Sequence, residues 1–173
     1  MAAELSAARL GLNPWRRGFV LLPMPDNPIL TETYGTVLAD SAVPCVIVQF
    51  HGFANREQFK LVMDTGLAYY EAHSTAARPW GWVGDVRQMG AIPKEVQEWL
   101  TDDWNIRAFA AGIREISIVV AETVFGQVAT QQYVQRTAQR ADTYELESAY
   151  YDTLAHAKQG AAARLASLAG PGK

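Results

Sequence analysis

The chain has 173 residues, of which 49% are hydrophobic and 19% charged, with a formal net charge of −3 at pH 7. That length suits a single domain, and that composition supplies enough apolar mass for one globular core. The slight acidity and the scattering of basic residues exclude a phosphate-backbone footprint, so nucleic acid and anionic membrane surfaces are not expected partners.

Residues 1–28 read as an N-terminal arm, partly ordered. Its alanine-rich start suits a short helix, but Pro14, Pro23, Pro25, Asn27 and Pro28 break regular structure, leaving Trp15, Phe19 and Leu21 to lay the arm over the body. Met1–Leu12 has no basic stretch followed by an apolar run and does not read as a signal peptide. No window approaches the roughly 20 apolar residues of a membrane span, and the expected location is cytoplasmic.

The body is expected over 29–169, as one domain. Ile29–Leu38 is rich in Thr, Tyr and Val, Asp40-Ser41 marks a turn, and Pro44–Phe50 follows, so the pair predicts an antiparallel hairpin. Val46-Ile47-Val48 is apolar on both faces and suits a central strand. Cys45, the single cysteine, lies in that run; it excludes an internal disulfide and reads as a buried, inert thiol. Asn55-x-x-Gln58 has the form of a capping box, and Phe59, Val62, Met63, Gly66, Leu67 and Tyr70 repeat at helical spacing over 55–73.

Trp80–Val86 reads as a short strand. Pro93 opens the next helix, Val96, Trp99, Leu100 and Ala108 place its face, and Gly112 stops it. Glu115–Val120 is another interior strand. Thr130 is expected to cap a helix running to about Arg140, and Tyr144, Leu146, Ser148 and Tyr150 then alternate with glutamates as a strand with one wet face. A last helix spans about Thr153–Ala169. The predicted fold class is α/β, a single mixed sheet of about five strands with four helices in the order ββαβαβαβα, because strands joined through helices run parallel.

This order is similar to that of STAS domains, the fold of anti-anti-sigma factors, and to the related CRAL-TRIO lipid-binding fold. The chain resembles a bacterial STAS-like family in the run Trp82-Val83-Gly84-Asp85-Val86-Arg87-Gln88-Met89-Gly90 and in Glu95 to Trp99, Asp103, Trp104 and Arg107. The resemblance continues through Gly112 to Val119 and Phe125-Gly126, over about 29–158. It implies a fold and a binding or regulatory role, not a reaction. In anti-anti-sigma factors the loop after the third strand carries a phosphorylated Ser or Thr; here Asp85 to Pro93 contains neither.

Trp82, Asp85, Arg87, Met89, Trp99, Trp104 and Arg107 form the candidate ligand-binding set. Asp85 and Arg87, two apart at a strand end, point the same way, and Arg107 lies within helical reach of Asp103 and Trp104. One reading is a ligand mouth at the strands' carboxyl ends, with aromatic walls and arginines to grip an anion. The other is architectural: Asp85 and Arg87 fix a loop while the tryptophans fill the core. His51, His73 and His156 match no metal-ligand spacing, Glu95, Glu98, Asp102 and Asp103 read as a solvated helix face, and no nucleophile elbow or phosphate loop occurs. No catalytic residue, metal or cofactor is assigned. The expected function is a non-enzymatic binding or regulatory domain, meeting a protein partner or a second copy; the alternative is a small-molecule or lipid-binding domain using the Trp/Arg mouth for an apolar or anionic ligand.

Overall fold

The computed structural model describes residues 26–168, so the expected arm lies outside the described residues apart from Asp26, Asn27 and Pro28. The fold is α/β, with one mixed sheet of six strands in sequential order. The strands are β1 (Asn27–Glu32), β2 (Gly35–Asp40), β3 (Cys45–Phe50), β4 (Gly81–Asp85), β5 (Glu115–Val119) and β6 (Glu147–Tyr151). β1, β2 and β3 pair antiparallel, whereas β3 to β6 run parallel. The sequence segment expected as a first long strand is thus two strands, folded at Thr33-Tyr34, where Glu32 faces Gly35. Asn27 and Pro28, expected to break structure, instead begin β1. An edge strand tolerates a proline, which has no N–H to donate, and the register shifts between Pro28 and Leu30.

Helix α1 (Arg56–His73) links β3 to β4 and begins with the expected capping box: the Asn55 side chain accepts from Gln58 N–H while the Gln58 side chain accepts from Asn55 N–H. Between β4 and β5, Lys94–Trp99, a π-helical turn over Leu100–Trp104 and Asn105–Ala111 run on as one helix, α2. Gly112 ends it at φ 109°, a left-handed conformation that favours glycine. Helix α3 (Val124–Ala138) is capped seven residues before the expected Thr130. Its N-cap is Thr123, whose hydroxyl accepts from Gly126 N–H, whereas Thr130 lies inside the helix and donates to the Gly126 carbonyl. Helix α4 (Leu154–Leu168) follows β6 and is the final element among the described residues.

The two faces of the sheet are covered unequally. On one face Val46, Val48, Trp82, Ile116 and Ile118 pack with α1, α2 and Ala129 of α3 into the main core. On the other, Cys45, Ile47, Val83 and Val119 meet Ala157 and Ala161 of α4. Each fully buried aliphatic side chain contributes about 1.5–3 kcal/mol, so the larger face dominates the stability. The carboxylates of Asp26 and Asp40 lie 2.5 and 3.1 Å from Lys158 Nζ, tying the sheet's first strands to α4.

Candidate functional site

The seven candidate residues fall into three groups. Trp82, Trp104 and Met89 are buried on the main-core face, with the two indole rings 5.0 Å apart at their centroids and Trp104 Nε1 donating to the Met63 carbonyl. Trp99 and Arg107 are half-buried where α2 meets α1, with Trp99 packed against the edge of the main core. Arg107 binds Asp103 on its own helix and Asp64 on α1, and its guanidinium and Lys60 approach the Trp99 ring. Asp85 and Arg87 meet at the carboxyl end of β4, on the face opposite Trp82, because alternate residues of a strand point to opposite sides. A single mouth walled by tryptophan and arginine is therefore not assembled.

Around Asp85 the geometry is saturated. Arg87 Nε and Nη2 donate to its two carboxylate oxygens at 2.9 and 2.7 Å, and Gln49 Nε2 donates at 2.8 Å. Burial alone would raise the Asp85 pKa; the hydrogen bonds from Arg87 and Gln49 and the guanidinium charge outweigh it, holding the carboxyl below its ordinary range. The same pairing raises the Arg87 pKa. Beside them His51, Gln88 and Glu122 complete a polar cleft of about 130 Å³. His51 contacts Thr36 Oγ1 at 3.0 Å and Gln88 Oε1 at 3.3 Å, which spends both ring nitrogens on structure. Sequence reasoning placed Asp85 and Arg87 together but missed Gln49, His51, Gln88 and Glu122; those on β3 and after β5 carry no local signal of adjacency.

The loops that follow β3, β4 and β5 converge here and are laced by backbone bonds. Gly52 N–H donates to the Gln88 carbonyl, Gly90 N–H to that of Gly52, and Glu122 N–H to that of Arg87. Thr123 Oγ1 adds a bond to the Met89 carbonyl. Upon this rigid platform stand Phe53, Val124 and Phe125, exposed to 62, 71 and 72%. Val120, Val128 and Tyr150 extend the apolar surface towards β6.

Elsewhere the side chains settle into structural roles. Cys45 is fully buried, and burial pushes its thiol up to about 12. His73 stacks on Tyr69, His51 sits at the polar cleft and His156 on α4, and among the described residues no three His, Cys, Asp or Glu converge as a metal-holding group. Glu95, Glu98, Asp102 and Asp103 are exposed, and three of them pair with Lys94, Arg140 and Arg107. Asn105, wholly buried, donates to Thr137 and Tyr144 and accepts from Tyr133, joining α2 to α3 and to the segment before β6. No helix among the described residues is long and apolar enough to cross a membrane. No family model, curated protein or solved structure matches the chain.

Proposed function

We propose that this chain is a STAS-like, non-enzymatic binding module of the cytoplasm that engages a protein partner through the carboxyl end of its sheet. The observation that carries the reading is the exposure of Phe53, on the loop after β3, and of Val124 and Phe125, in the first turn of α3, beside loops laced together by backbone hydrogen bonds. Large apolar side chains held out rigidly in water gain free energy only when covered, and a preorganised patch loses little entropy on association. Arg87 sits at its rim with Nε and Nη2 committed to Asp85, leaving the rest of a partly exposed guanidinium to meet a partner's carboxylate or carbonyl.

The STAS-like part of the reading is supported by the element order and by the folding of the Trp82–Gly126 signature into consecutive elements, from β4 to the start of α3. The non-enzymatic part is supported by the state of Asp85: a general base needs a free lone pair facing substrate, and this carboxylate is engaged by Arg87 and Gln49. Site-specific photo-crosslinking in the cell of origin tests the proposal. A photoreactive phenylalanine analogue at position 53 or 125 is expected to give the same discrete heterologous adduct, weakened in Arg87→Glu and absent when the probe replaces Leu61, an exposed residue on α1. No adduct at either position, or the same adducts at Leu61, would refute it.

A further inference from the structure

Gly84 stands in the middle of the sheet with nothing above it. It pairs with Val48 on one side and Ile118 on the other, and all three face the main core. Other glycines among the described residues have a reason to lack a side chain: a Cβ at Gly66 would lie 2.8 Å from the Trp82 ring, and Gly52 and Gly112 have φ of 85° and 109°. At Gly84 the backbone is ordinary and an added Cβ would meet no atom within 4 Å. A glycine inside a strand weakens it, and an unfilled space in a core forfeits contacts, so this position carries two costs without a packing reason.

The space is a cavity of about 70 Å³ lined by residues that include Phe59, Trp82, Met89, Ile116 and Tyr133, and its surface is almost wholly apolar. We propose that it binds the end of a neutral, unbranched hydrocarbon chain. Size argues for a chain: the cavity has about half the volume of the ~150 Å³ void known to take benzene, so a ring is too large and a terminal segment of a few carbons fits. Charge argues for neutrality. No Lys, Arg or His lines the cavity or the neighbouring groove, and a carboxylate there would be desolvated without a partner.

The remainder of the ligand has a path out. Thr130 borders both the cavity and an open, mainly apolar groove of about 460 Å³ flanked by Val120, Val128 and Tyr150. Gln131 on that groove supplies an amide suited to a hydroxyl or ester head, and Gln127, whose Nε2 already donates to the Ala121 carbonyl, adds its amide oxygen. The proposal stands apart from the protein-partner reading, with which it shares Val124.

The test uses 1-octanol and octanoate at pH 8 as probes, followed by methyl chemical shifts in the intact chain. 1-Octanol is expected to move the methyls of Val48 and Ile118 and to bind at least about tenfold more tightly than octanoate, the discrimination expected for an unpaired charge. Gly84→Val, which fills the space, is expected to weaken octanol binding about tenfold or more while leaving the fold intact. Should that variant fail to fold, Gly84→Ala places one methyl there and is expected to weaken binding about threefold. Unmoved methyls, octanoate binding as tightly as octanol, or undiminished affinity in the glycine variant that folds would each overturn the proposal. Phe125→Ser, outside the cavity, is expected to leave octanol affinity unchanged; its loss there would assign the alcohol to the exposed patch instead.

Discussion

Asp85 is 5% exposed and remains a carboxylate because Arg87 and Gln49 replace the water it has lost. Its pKa is lower in the folded chain than in the unfolded one, so its contribution is present above the ordinary carboxylate range and is lost as pH falls through the folded value. Arg87→Ala should cost about 2 kcal/mol at pH 7, below the figure for a fully buried pair because the guanidinium is partly exposed. Urea unfolding should show the gap between wild type and Arg87→Ala narrowing on acidification, since a protonated Asp85 no longer needs a cation. A gap that is constant with pH would mean that Arg87 acts through packing alone. The spacing of two made this pair legible in the sequence, because neighbours on one side of a strand are set by local geometry. Gln49 was hidden from such reasoning: it lies on another strand, and only the parallel register of β3 with β4 brings it opposite Asp85.

Helix boundaries separate what local chemistry decides from what the sheet decides. The start of α1 was legible because Asn55 and Gln58 make their capping bonds within four residues. The start of α3 was misplaced because two threonines compete, and the one that caps also bonds Met89 on a distant loop. Thr123→Ala is therefore expected to destabilise the chain by about 1 kcal/mol or more, as for a lost cap, whereas Thr130→Ala removes only an intrahelical back-bond and should cost less. Thermal unfolding of the two variants distinguishes them, and an equal or reversed order would contradict the assignment of the cap. The fold between β1 and β2 was concealed for another reason. Thr33-Tyr34 lacks the Gly, Asn or Pro that marks a tight turn, so two short strands resemble one long one. In α2 the π-helical turn brings Asn105 N–H to the Leu100 carbonyl, and Leu100 and Asn105, five residues apart, are both buried, an alignment that a regular helical period does not anticipate.

Across the whole molecule, alternation of apolar strands with amphipathic helices was enough to anticipate one mixed sheet. It was not enough to anticipate which candidate residues would share a surface, because that depends on the face each strand turns to each layer. The layers also differ in strength. Helix α3 rests principally on the π-turn of α2 and contributes Ala129 to the buried core, while β3, β4 and β5 are flanked by strands on both sides. Hydrogen exchange should therefore release the amides of α3 beyond its capped first turn, Val128–Ala138, before those of the three central strands, and equal protection would contradict the uneven packing. Sequential strand order has a consequence for how the chain is made. Every new strand adds beside the one synthesised just before it, so no strand waits for a distant partner and loop-closure costs stay small at each step. Assembly can keep pace with the ribosome, and among the described elements Leu154–Leu168 emerges after all six strands and covers a sheet already formed.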